Sequence, residues 1–146
     1  MREILFRGKT SSGDMVYGSL IKADKYCCIL EREEDVHPMD YPYLDGFIGT
    51  FDGKATPVRP ETVSQWTGLV DKKGMKIFEG DVVKEEPGKQ ITSNWIYKII
   101  WDVTHTSFML QSRHKNRLCH FPLVNFKVKM LEVIGNIWDN PELGEE

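Results

Sequence analysis

At 146 residues, with 40% apolar and 28% charged side chains, the chain has ordinary globular composition and the length of one domain or of two subdomains sharing a core. Its formal net charge of -3 excludes a global basic field of the kind that draws a protein to DNA or to an anionic membrane. No apolar run reaches the roughly 20 residues of a membrane helix, the N-terminus lacks a signal-peptide core, and an odd cysteine count with the adjacent pair Cys27-Cys28 excludes a disulfide framework, so the expectation is a soluble protein of a reducing cytoplasm.

Residues 3–6 form a short apolar run, 8–13 a polar turn and 15–22 a second run, which together read as a hairpin. Residues 26–31 (YCCILE) are a third extended run. It leads into an acidic loop at 31–46, where His37-Pro38 and Tyr41-Pro42 disfavour helix. The runs 47–51 and 55–58 then flank the turn pair Asp52-Gly53.

The rest of the chain is organised around the stretch 61–84, ETVSQWTGLVDKKGMKIFEGDVVK. Val63, Trp66, Leu69 and Val70 precede Asp71-Lys72-Lys73-Gly74, and Met75, Ile77, Phe78, Val82 and Val83 come after, so a glycine-containing turn joins two strand-like runs. Asp71 suits bonding to backbone N–H groups ahead of it, and Gly74 supplies the positive φ of a type I turn with a bulge. Glu79-Gly80-Asp81 restarts the chain into Val82-Val83.

After a turn at Pro87-Gly88, residues 91–102 make a long strand with Trp95, Tyr97, Ile99 and Trp101 on one face and Ile96 and Ile100 beside Lys98 on the other. Residues 108–110 make a further strand, the basic 113–117 reads as a hairpin tip, and 118–123 returns. Residues 128–138 make the last long strand. No stretch holds helical periodicity beyond two turns. Many short strands with Gly turns give a mainly β protein, most economically with a small barrel from about residue 60 onward.

Charge is divided along the chain. Between residues 89 and 130, Lys89, Lys98, Arg113, Lys115, Arg117, Lys127 and Lys129 face one acid, Asp102. Between 31 and 45, Glu31, Glu33, Glu34, Asp35, Asp40 and Asp45 face one base, Arg32. Opposite segments on one chain suit packing against each other or against another copy.

Three kinds of chemistry are weighed. Asp71, Glu79 and Asp81 offer oxygens to a divalent cation, but acids in adjacent turns without a His or third fixed carboxylate are read as turn formers. Cys119-His120 with His105, His114 or Cys27-Cys28 lacks the two-to-four-residue ligand spacing of zinc sites. Arg113, Lys115 and Arg117, with Lys127, Lys129 and the rings of Trp95, Tyr97 and Trp101, are the one set suited to nucleic acid, through phosphate contacts and base stacking. No glycine-rich phosphate loop, G-x-S-x-G or H-E-x-x-H occurs, so no enzyme and no cofactor is expected.

Three blocks carry a family likeness: the opening MREILFRG with Met15-Val16-Tyr17-Gly18, the central 61–84 stretch, and the closing EVIGNIWDNPEL of 132–143. Together they resemble the YopX family of bacteriophage and prophage proteins. The resemblance implies a mainly β (α+β) protein of the bacterial host cytoplasm, with an N-terminal strand-rich α+β subdomain at 1–59 and a C-terminal SH3-like β-barrel subdomain at 60–146. It also implies a homo-oligomer, and it transfers no biochemical activity. The matching residues Asp71, Gly74, Glu79, Gly80 and Asp81 are turn-forming and strand-starting types whose shared role is folding. The functional expectation is therefore a non-enzymatic, self-assembling module that binds a phage or host protein, with nucleic-acid binding through the basic 113–129 surface as the alternative.

Overall fold

Alternating apolar residues punctuated by Gly and Asx turns produce strands almost throughout. A computed structural model describes residues 2–31, 55–86, 95–114 and 116–144. The acidic loop from residue 32 on, the 47–51 run, the Asp52-Gly53 and Pro87-Gly88 turns, residues 91–94 and Lys115 lie outside the described residues. No helix among the described residues is long and apolar enough to cross a membrane. The chain divides into two units, Glu3–Gln65 and Trp66–Glu146, so the division falls a few residues beyond the expected 59/60 boundary.

In the first unit β1 (Phe6–Lys9), β2 (Met15–Ala23), β3 (Tyr26–Glu31) and β4 (Ala55–Pro57) form an antiparallel sheet, and the start of β5 (Ser64–Val70) joins it beside β1, giving the order β4-β3-β2-β1-β5. The strand expected at 3–6 runs instead over Phe6–Lys9, because the turn at 10–14 sets the register. The Thr10 N–H donates to the Asp14 carbonyl, Gly13 takes φ +91°, and Lys9 thereby faces Met15. Leu5, Ile29 and Val58 are buried here. Arg7 is also buried, at 4% exposure, and its Nε donates to Ser64 Oγ at 3.0 Å. The helical component expected of this part does not occur among its described residues, which hold only the 3-10 turn Pro60–Thr62. Thr62 Oγ1 closes that turn by donating to the Arg59 carbonyl while accepting the Lys9 N–H.

In the second unit the rest of β5 pairs with β6 (Lys76–Phe78), through Trp66 with Phe78 and Val70 with Lys76. A five-stranded antiparallel sheet comes next. It comprises β7 (Asp81–Glu85), β8 (Trp95–Asp102), β9 (Ser107–His114), β10 (Arg117–Pro122) and β11 (Leu131–Asn136), in the order β10-β9-β8-β7-β11. Ile77, Val83, Tyr97, Ile99, Leu110, Val128 and Leu131 form its buried core. Burying such side chains contributes roughly 1.5–3 kcal/mol each.

Three expectations are corrected. No closed barrel forms among the described residues, because β10 and β11 end the sheet and do not pair with each other. The strand expected at 128–138 is shorter. Val128 belongs to a single helical turn, α1 (Asn125–Val128), with the Lys127 and Val128 N–H groups on the Val124 carbonyl. Past Asn136 the chain turns, since Asn136 Oδ1 accepts the Trp138 and Asp139 N–H groups and offers the backbone an alternative to the ladder. On β8, Tyr97 and Ile99 are core as alternation requires, but Trp101 at the strand's end is 45% exposed.

Candidate functional site

Most of the residues singled out in the sequence fall into two places, one beside β11 and one at the β9–β10 hairpin. The first is the Asp71 turn. Asp71 is 5% exposed, and both its carboxylate oxygens are engaged by backbone donors. Oδ1 accepts the Lys73 and Met75 N–H groups at 2.9 Å each, and Oδ2 accepts the Val133 N–H at 2.9 Å. Gly74, at φ +81°, donates its N–H to the Asp71 carbonyl, closing the turn as its residue type predicts. The Lys72 N–H then donates to the Leu131 carbonyl at 3.0 Å. The outer backbone edge of β11 is thus hydrogen-bonded by the turn between β5 and β6.

The Glu79-Gly80-Asp81 corner works in the same manner. Asp81, buried, accepts the Phe78 N–H at 2.7 Å. Gly80 sits at φ +85°, donates to the Ile99 carbonyl at 2.8 Å and accepts the Ile137 N–H at 2.9 Å. A Cβ on Gly80 would lie 2.5 Å from the Trp138 ring, so any other residue here is strained in its backbone and must displace the indole. Burial holds the Glu79 carboxyl above the usual carboxylate range. A carboxylate whose lone pairs are directed at main-chain N–H groups is a structural anion rather than a cation ligand. Among the described residues no three His, Cys, Asp or Glu side chains stand together as a metal set.

Outside the Asp71 turn lies a rim of ion pairs. Lys73 Nζ reaches Glu132 at 2.6 Å, and Lys72 pairs with Glu86 and, at 3.6 Å, with Glu132. The Lys73 hydrogen bond holds the Glu132 carboxyl below its ordinary range, and Lys72 does the same for Glu86.

The second place is the β9–β10 hairpin. Arg113 on β9 pairs with Leu118 and His114 with Arg117, and Asn116, just before β10, has φ +65°. Arg113 and Arg117 are exposed. The basic set expected to act together is divided. Lys127 is drawn from it: its Nζ donates to Glu85 Oε1 at 2.6 Å and lies 6.0 Å from the Tyr97 ring centre, while Tyr97 Oη donates to the other Glu85 oxygen at 2.8 Å. Burial first, then the Glu85 contact, pushes the Tyr97 hydroxyl far above the ordinary tyrosine range. Lys129 is exposed at the end of α1. Apart from Lys127 over Tyr97, rings and charges do not meet as expected. Tyr97 is buried, and Trp101 pairs with Phe108, five residues before Arg113 on β9 and about 17 Å from it along the strand.

Leu118 and Phe121, which the sequence reading did not single out, are the conspicuous residues here. They are 52% and 41% exposed on β10, the terminal strand of the sheet, and Phe121 meets Tyr97 edge-on at 5.9 Å. The 118–123 run reads as a strand in the sequence, but nothing in it reveals that the strand is last in the described sheet order. The histidine and cysteine candidates also have local roles. His120 bonds Gln111 across the ladder at 3.0 Å, His105 pairs with Asp102 at 2.7 Å, and Cys119 faces Ser112.

The model of the family described as YopX protein matches residues 5–145, nearly the whole chain. The chain belongs to the YopX family. This YopX-family chain is also similar to a solved structure, the crystal structure of protein EF1440 from Enterococcus faecalis, at 25% identity and a TM-score of 0.52, over 99% of this chain and 100% of that one. No curated protein matches it. The match spans both units, so the Asp71 turn and the β9–β10 hairpin both lie inside the family region.

Proposed function

We propose that this YopX-family protein is a phage- or prophage-encoded, non-enzymatic module of the host cytoplasm that assembles with itself and binds a phage or host protein. The observation that carries the reading is the β9–β10 hairpin: a sheet edge with which no described strand pairs, with exposed Leu118 and Phe121 and flanked by exposed Arg113 and Arg117. Edge strands of this kind are templates for strand addition, and positive charge beside one selects an acidic partner. The acidic 31–45 segment of another copy has the matching charge. The engagement of Asp71 and Asp81 by backbone N–H groups supports a role in folding rather than in catalysis. Within this reading residues 60–146 act as an SH3-like subdomain whose strand edge, rather than a pocket, does the binding.

The test is light scattering on the purified chain and on an Arg113→Glu/Arg117→Glu variant. The expected result is an oligomer for the parent and a lower mass for the variant. An equal mass for both would remove the charged contact.

The exposed guanidinium groups of Arg113 and Arg117 also favour nucleic-acid binding as a second reading. It predicts a complex with mixed DNA and RNA that weakens steeply with salt and is lost when both arginines become alanine. The burial of Tyr97 and the distance of Trp101 from Arg113 along β9 rank this reading second.

A further inference from the structure

The two ends of the five-stranded sheet are finished differently. The outer edge of β11 is bonded through Asp71 Oδ2 and the Lys72 N–H. No described strand pairs with the outer edge of β10. Natural edges are blunted by lysine, proline, bulges or shortness. β10 has six residues, its register with β9 runs without a bulge from Arg117 to Pro122, and its one proline is at the very end.

We propose that this edge pairs with β10 of a second copy, antiparallel about a two-fold axis that passes beside Cys119. The inference rests on the self-assembly reading and specifies its contact. A two-fold axis perpendicular to a sheet keeps each face continuous, so opposed residues share a face and one residue meets its own copy. On β10, Arg117, Cys119 and Phe121 share one face, and Leu118 and His120 the other.

Centring on Cys119 opposes Arg117 to Phe121 of the second copy, twice, and Leu118 to His120, twice. The ladder then opposes residues 117–121 of the two copies, and the N–H and C=O groups that β9 leaves unused, on every second residue, face the second copy. A guanidinium beside a half-exposed ring is a favourable cation–π pair, and each apolar Leu118 covers an imidazole. Centring on Leu118 leaves only Arg117 to Cys119 in the ladder. Centring on His120 opposes two imidazoles and brings in Pro122, which has no N–H to donate. Centring on Arg117 opposes the two Arg117 charges directly, which is unfavourable, and centring on Phe121 leaves only His120 to Pro122 in the ladder. The strand is therefore self-complementary in one register, which identifies the occupant as a second copy.

That register opposes Cys119 to Cys119. Opposed Cα atoms of an antiparallel pair stand about 4.5–5.5 Å apart, inside the range a disulfide spans. Cys119 is a partly buried free thiol. The experiment uses the full chain carrying Cys27→Ser and Cys28→Ser, so that Cys119 is its single thiol. Light scattering gives the oligomeric state, and diamide then takes two protons and two electrons from each opposed thiol pair to form the disulfide. The expected result is a dimer that converts to a covalent Cys119–Cys119 species, identified by peptide mapping. Cysteine moved one position, as Leu118→Cys with Cys119→Ser, should react at least tenfold more slowly because it opposes His120 (~1.4 kcal/mol per tenfold).

A non-covalent oligomer that cross-links through Leu118→Cys and not Cys119, or through neither, overturns the proposed contact and leaves self-assembly standing. A monomer overturns both. Leu118→Lys, at an exposed site, supplies a variant that keeps its fold by circular dichroism. It should lose half the mass in light scattering, and an unchanged mass overturns the proposal.

Discussion

β11 and β10 terminate the same sheet, yet the chain treats them oppositely. At β11 a buried carboxylate and a turn amide complete the ladder that a further strand would otherwise have completed, and the Lys72, Lys73, Glu86 and Glu132 rim surrounds them with charge. At β10 no described strand continues the ladder, and Leu118 and Phe121 are exposed. The difference teaches that an unpaired edge in this fold is not a necessity of strand count. The motif that closes one edge is the family-like 61–84 stretch, and β10, which no described strand covers, lies outside the three blocks that carry the likeness in the sequence.

The largest effect is expected where the closed edge is opened. Asp71→Ala removes the acceptor for three backbone N–H groups at once, and the loss should reach about 3–5 kcal/mol, read as a fall in the urea midpoint. Asp71→Asn should fall between, because its oxygen still accepts from Lys73 and Met75 while its NH2 opposes the Val133 N–H. Equal midpoints for Asp71→Ala and the parent would mean the edge is not held by this side chain. Gly80→Ala comes next, at about 2–3 kcal/mol, since it combines a left-handed φ with a 2.5 Å approach to Trp138. A Trp fluorescence shift at unchanged stability would instead show that the indole moves aside.

Between the two edges, Tyr97→Phe leaves Glu85 with Lys127 alone and should cost about 1 kcal/mol by thermal melting. Because the folded-state pKa of Tyr97 is raised, its contribution is present below the ordinary tyrosine range and is lost as pH rises through the raised value. Absorbance titration of the parent should accordingly show one tyrosine ionising later than the others, and the late step should vanish in the variant.

The smallest effect belongs to the rim. Glu132 has a lowered pKa, so its contribution is present above the ordinary glutamate range and is lost as pH falls through the lowered value. Glu132→Gln should slightly flatten the acid side of the melting profile, and added salt should mimic it. An acid limb identical in both proteins would show that the exposed pairs contribute nothing.

Turn chemistry was the most legible part of the sequence. Asp followed three residues later by Gly announces the 71–74 turn, and Gly80-Asp81 the next strand start, because these needs are local: a positive φ and a short acceptor for nearby N–H groups. The long strand at β8 came from alternation. Elements that depend on partners distant in sequence were read less well. Val128 reads as strand but caps the core from a helical turn, and Lys127 reads as one of a basic cluster but sits against Glu85, 42 residues away. The exposed status of Trp101 and of β10 depended on where each strand stands in the sheet.

By itself, then, the sequence determined the family, the mainly β class, the hairpin turns and the unequal distribution of charge, since composition, period and turn residues act within a few positions. Only the tertiary structure decided that Asp71 reaches Val133, that the basic residues part company, and that β10 rather than β11 is the edge no described segment covers. Those outcomes come from strand order and register, which are set by the packing of side chains that sequence spacing keeps apart.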